Sequence, residues 1–268
     1  MTLDITRQAR GLFRRRQLLW TLVRRDLHVR YASSPIGYLW TIIDPLAMAA
    51  IYFVVFTVIF KSRSVGYQPY VLFIVIGVLA WQWFQLSVTE TARALIAESR
   101  LVRSTNMPRE LWVVRVVLAK GIEFVLSLPV LAGFALFFAL TGQAHINHKL
   151  VWFPVGLVLQ FFLQVGLGLI LAPITVLFTD TSRIVRILLR MGFYATPIIY
   201  GVHAAPKAMQ SVLVWNPMSG VLEAYRAGFF PAELNHRAIV LSAVVSAVLL
   251  LVGSYVFTRL EPAVLKEI

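Results

Sequence analysis

The chain has 268 residues, of which 59% are hydrophobic and only 14% charged, and its formal charge is +13. Apolar content of that order exceeds what a soluble domain of this length can hide, so a water-soluble enzyme is excluded. The basic balance is then assigned to topology signals and anionic lipid headgroups rather than to nucleic acid. Cysteine is absent, which removes disulfides and thiolate metal sites from consideration.

Residues 1–34 read as a cytoplasmic interface segment and 35–268 as a transmembrane domain. Eight arginines fall before residue 31, namely Arg7, Arg10, Arg14, Arg15, Arg16, Arg24, Arg25 and Arg30. On a helical wheel Leu12, Leu19, Trp20, Val23 and Leu27 share one side, while Gln17, Thr21, Arg24, Arg25 and His28 share the other, the pattern of an interfacial amphipathic helix. Ser33-Ser34-Pro35 ends it, because proline lacks a donor and disfavours helical backbone in the residue before it. The first apolar run follows more than thirty residues of basic sequence, so no cleavable signal peptide is expected.

Apolar runs then predict six crossings, each near the roughly 20 residues needed to span a bilayer. They cover Trp40–Phe60, Tyr70–Val88, Val116–Thr141, Leu150–Thr179, Ile184–Val202 and Ala238–Thr258, followed by a short polar tail. A basic loop at about 95–112 separates the second and third. The stretch at about 203–233 is apolar but broken by Pro206, Asn216-Pro217, Gly220, Gly228 and Pro231, which predicts short re-entrant helices. With both termini in the cytoplasm, eighteen lysines and arginines lie inside and six outside, leaving Lys120 within a span.

Catalytic chemistry is scarce. None of the five lysines follows a glycine and no G-x-x-x-x-G-K-[ST] occurs, so the chain has no phosphate-binding loop. The twelve carboxylates are scattered, unlike the paired acids of metal-dependent membrane transferases, and His145-x-x-His148 lies in a polar loop where solvation is the ordinary state. No catalytic, cofactor-binding or metal-ligating residue is therefore assigned. Asp44, Glu90, Lys120 and Glu123 sit at or near span ends, with Lys120 and Glu123 one turn apart and able to satisfy each other. The middles of the spans hold no acidic or histidine relay, which argues against a proton-coupled carrier. Trp81, Trp83, Phe84, Tyr194 and Tyr200, with Trp152 and Phe153, suit an interfacial belt or the walls of a channel for sugar rings.

Arg25-Asp26-Leu27, Arg30-Tyr31, Ser34, Gly37, Leu39-Trp40 and Pro45 open a series that continues through Met107-Pro108, Phe178-Thr179-Asp180, Thr196-Pro197-Ile198-Ile199-Tyr200, Asn216-Pro217, Arg226 and Pro231. In order and spacing this series resembles the membrane subunits of polysaccharide-export ABC transporters, which serve O-antigen, cell-wall galactan, capsule and teichoic acid. The resemblance implies an all-α permease with six transmembrane helices, an amino-terminal interface helix and re-entrant helices before the last span, in the bacterial inner membrane. It also implies a homodimer with two copies of a separate ATPase subunit that supplies ATP and Mg, and a lipid-linked glycan as cargo. A coupling helix maps onto Arg100, Leu101, Val102, Arg103, Met107 and Pro108, and Arg24, Arg25 and Arg30 become candidates for steering the lipid diphosphate. Thr179 departs from the arginine common there. An exporter of drugs or simple lipids and a membrane glycosyl- or phosphotransferase are the alternatives.

Overall fold

The computed structural model describes residues 15–32, 36–55, 67–104 and 107–268, and among them there are helices and turns but no strand. In chain order the helices are α1 (Arg16–Tyr31), α2 (Trp40–Phe53), α3 (Tyr70–Ala92), α4 (Ala94–Ala97), α5 (Ser99–Ser104), α6 (Glu110–Leu140), α7 (Trp152–Leu177), α8 (Thr181–Ala195), α9 (Lys207–Trp215), α10 (Pro217–Arg226) and α11 (His236–Glu267). Among the described residues four segments are long and apolar enough to cross a membrane: α3, α6, α7 with the turn from His148 that leads into it, and α11.

Helix α3 is the axis of the bundle. Of its apolar window 78% is buried, against 28% for α6 and for α11, so α3 is wrapped by protein while its neighbours keep a lipid-facing side. It packs on α2, α6, α7, α8 and α10. One buried polar side chain of a neighbour is satisfied on its backbone, as hydrocarbon requires. Gln160 on α7 donates to the Ala80 carbonyl at 2.7 Å and accepts from the Tyr225 hydroxyl of α10 at 2.9 Å, joining three helices through one amide.

The α7–α11 contact is the most extensive among the described helices, and glycine removes side chains between the two backbones. A methyl group built on Gly166 would sit 2.7 Å from the carbonyl carbon of Leu249 and the amide nitrogen of Leu250, and one on Gly253 would strike the Gly166 carbonyl. Small residues let membrane helices approach in this way, exchanging side-chain bulk for backbone van der Waals contact. Gly166→Val should therefore force the pair apart and destabilise the protein by about 1–3 kcal/mol, the usual cost of overpacking. Gly133→Ala, where nothing lies within 4 Å, should be neutral, and thermal melting of both variants in detergent checks the contrast.

Several boundaries differ from the apolar runs. Helix α6 begins at Glu110, α7 stops at Leu177, and α11 runs to Glu267 where a short polar tail was expected. Hydropathy sees only the lipid-crossing part of a helix that continues into the polar zone. The fifth run was expected to reach Val202, yet α8 ends at Ala195, and Thr196 takes extended backbone ahead of Pro197. The basic loop is also mostly helical, since α4 and α5 occupy it. The expected breaks at Pro206 and Asn216-Pro217 do fall between short helices, with Asn216 capping α10 by accepting from the Met218 amide at 3.0 Å and Pro217 at its first turn. Of the first run, α2 covers Trp40–Phe53, and residues 56–60 lie outside the described residues, as do Arg7, Arg10, Arg14, Leu12 and Ser33-Ser34-Pro35.

Candidate functional site

Helix α1 meets α6 through a stripe one turn apart. Val23 and Leu27 are buried against Ala119, with Leu19, Leu118 and Ile122 around them, while Trp20 stays exposed with the Arg24 guanidinium 5.2 Å from its ring centre. The polar edge of the same helix makes a second set of contacts. Arg25 pairs with Glu98 at 2.5 Å, and Arg115 joins Glu98 at 3.2 Å to Asp26 at 2.9 Å. Arg30 forks onto Glu90 with bonds of 3.1 and 2.8 Å and lies 3.3 Å from Glu123, and the Lys120 ammonium is 3.0 Å from both Glu90 and Glu123. Two cations and two anions thus close a square across α1, α3 and α6. The expected Lys120–Glu123 pair is one side of it.

Two hollows adjoin this square, and a third lies next to the second of them. A cleft of about 800 Å³ is bordered by Arg25, Arg30, Glu90, Arg93 and Glu98. A cavity of about 300 Å³ shares Arg30 and Glu90 with that cleft and adds Trp40, Asp44, Gln82, Trp83, Lys120 and Glu123. A groove of about 670 Å³ between α2, α3 and α8 shares Asp44 and Gln82 with the cavity and continues along Trp81, Gln85, Thr89, Arg186, Arg190 and Tyr194. Arg30 and Glu90 are common to the cleft and the cavity, and Asp44 and Gln82 to the cavity and the groove, so polar side chains recur from one hollow to the next among mainly apolar walls.

The five candidate aromatics do not share one surface. Trp81 and Tyr194 line the groove, and the Trp81 indole donates to Gln85 at 3.0 Å. Trp83 lines the cavity, stacked on Phe124 at 5.1 Å, whereas Phe84 is buried 5.2 Å from Trp81. Tyr200 donates to the Tyr194 carbonyl at 3.1 Å. The segment expected to couple is anchored on one side, because Val102 is 1% exposed in a cluster with Leu95, Trp112 and Val113, with Leu101 packed against it. Arg100 and Arg103 on α5 face outward, and Met107 and Pro108 are half-buried.

A second polar knot ties α10 to the segment after α8. The Arg226 side chain is buried, donates to the carbonyls of Pro197 and Ile198 at 2.6 Å each and of Phe73 at 3.3 Å, and lies 3.5 Å from the centre of the Phe73 ring. Asn216 donates to Thr196 at 2.9 Å, so the Thr196-Pro197 and Asn216-Pro217 elements of the sequence meet in space. Burial draws the Arg226 guanidinium down to about 10, which leaves it charged at neutral pH. Burial, reinforced by nearby Glu233, pushes Glu223 up to about 8. The Tyr67 hydroxyl donates to Glu233, and burial followed by that bond raises its pKa. In the sequence Arg226 counted as an outer-side charge and as one residue of the family-like series, with no structural role assigned. A buried arginine that binds carbonyls from residues 28, 29 and 153 positions away leaves no local spacing to find.

Among the described residues no three His, Asp or Glu side chains converge to hold a metal ion, and His145 and His148 are both exposed. Residues 17–230 match the ABC-2 type transporter family, and the chain belongs to it. Among its relatives, the O-antigen export system permease protein of Myxococcus xanthus is 33% identical over 254 residues, covering 94% of this chain and 95% of that protein. A protein of the same description from Klebsiella pneumoniae is 29% identical over 247 residues, covering 91% of this chain and 92% of its own. The capsule polysaccharide export inner-membrane protein of Neisseria meningitidis is 22% identical over 222 residues, covering 82% of each chain.

Proposed function

We propose that this chain is the membrane permease of an ATP-driven exporter that carries a lipid-linked polysaccharide of the O-antigen or capsule type out of the cytoplasm. Two copies form a homodimer across the bacterial inner membrane and pair with two copies of a separate ATPase, which brings ATP and Mg. Each copy crosses six times, with α2 continuing into the first crossing, α8 beginning the fifth, 203–233 re-entrant and both termini inside. Helix α1 lies at the cytoplasmic interface. The reading is carried by the groove between α2, α3 and α8, whose amides, arginines and aromatics suit half of a glycan channel completed by the second copy. Family membership and the export roles of its relatives support it.

ATP binding in the companion pushes on α5, and the buried Val102 passes that displacement into the α6, α7 and α11 cluster. Arg100→Glu with Arg103→Glu should leave the chain folded, since both side chains are exposed, yet weaken co-purification of the ATPase about tenfold or more by reversing charge at the contact. Pull-down of the co-expressed ATPase and accumulation of lipid-linked glycan inside the cells report the two consequences. Unchanged association and export would place the coupling contact elsewhere.

A further inference from the structure

The exposed residues of α8 divide into two stripes at 100° per residue. Ile184, Ile187, Leu188 and Met191 form an apolar stripe, each more than half exposed, and Val185 and Leu189 pack inward. Between these two sectors Arg186 and Arg190, one turn apart, look into the groove that also holds Trp81 and Gln85. Arg25, Arg30, Arg109 and Arg115 each hold a carboxylate, and Arg226 holds three carbonyls, but no carboxylate of the described residues lies within ion-pair distance of Arg186 or Arg190. Among the described residues Arg93, Arg100 and Arg103 likewise have no carboxylate within ion-pair distance, so what sets Arg186 and Arg190 apart is that both line this groove.

Two guanidinium groups at i and i+4 sit about 5–6 Å apart at their Cβ atoms, a spacing that lets both forks close on adjoining phosphates. Simple membrane anchoring would put them on the lipid side with the isoleucines, whereas they border a groove that carries Asp44, Gln82 and Gln85 among its apolar residues. We infer that Arg186 and Arg190 clamp the diphosphate of a lipid carrier, with its hydrocarbon tail along the neighbouring apolar stripe and its first sugar toward Trp81 and Gln85. This rests on the lipid-linked cargo proposed above and moves the diphosphate contact from the amino-terminal arginines, two of which are already engaged by Glu98, Glu90 and Glu123.

The test is binding to the full-length chain in phosphatidylcholine nanodiscs, comparing a long-chain polyprenyl diphosphate with the neutral polyprenol of the same length. Wild type should prefer the diphosphate at least about tenfold, the size of a modest charge-assisted contact. Arg186→Gln with Arg190→Gln should abolish the preference, and Arg183→Gln, whose side chain does not line the groove, should retain it. A folded double-glutamine variant that keeps the preference overturns the clamp and leaves the permease reading standing. Equal competition by phosphatidylglycerol also overturns it, by reducing the arginines to general lipid anchors. A wild-type chain with no preference at all overturns the lipid-linked cargo itself, and the clamp with it.

Discussion

Arg226→Ala is expected to prevent the chain from accumulating as a folded protein. The substitution strips the carbonyls of Pro197 and Ile198 of their buried donor, and unsatisfied buried groups cost about 1–3 kcal/mol each. It also withdraws the cation near Glu223 and Glu233 in a region closed to water. Several such losses together are a large part of the roughly 5–15 kcal/mol that holds a domain together. Arg226→Lys separates charge from shape: one ammonium cannot reproduce the fork that spans two carbonyls and the Phe73 ring, so only partial recovery is expected. Gly77→Ala tests the same knot from the α3 side, since a methyl there would lie 2.6 Å from the Arg226 guanidinium and 2.8 Å from the Ile198 carbonyl. Monodispersity on size exclusion and the melting midpoint in detergent measure all three. Wild-type behaviour of the alanine variant would dismiss the knot as a fold determinant.

Lys120→Met should be nearly as damaging, by about 3–5 kcal/mol, because it removes the most deeply buried charge of the square and leaves Glu90 and Glu123 to share Arg30. The 3% exposure of the lysine side chain allows little relief from water. Coupling distinguishes this from a mere loss of packing. If the square acts as a unit, Lys120→Met combined with Glu123→Gln will cost clearly less than the sum of the single changes, whereas independent effects add. Helix α1 depends on the same contacts through Arg30, so limited trypsin digestion at exposed Arg24 should quicken in Lys120→Met before global melting. Additive energies with unchanged digestion would show that the square does not hold α1.

What could be read from the sequence follows the range over which each signal acts. Helices α3, α6, α7 and α11 stand out as long uncharged or nearly uncharged runs, and the breaks at Pro206 and Asn216-Pro217 are local backbone chemistry. Lys120 and Glu123 are neighbours by helical spacing alone. Arg30 and Glu90 are 60 residues apart, and nothing in either segment announces the other. The arginines of α8 count in the sequence only among the inside charges until α2 and α3 place the groove beside them. The early end of α8 was hidden because Ile198 and Ile199 are as apolar as the helix before them, while extended backbone at Thr196 and the proline after it decide where the helix stops. The candidate aromatics were chosen by type, and only packing separates Phe84 in the core from Tyr194 on the open groove.

The main-chain approach at Gly166 and Gly253 also bears on movement. Two helices whose peptide groups touch have no side chains whose rotamer changes could absorb sliding, so α7 and α11 turn or tilt only together. Helices α2 and α8, by contrast, border the groove instead of closing on each other. The bundle has a stiff back and a yielding front, and the front is the side on which the unpaired arginines wait.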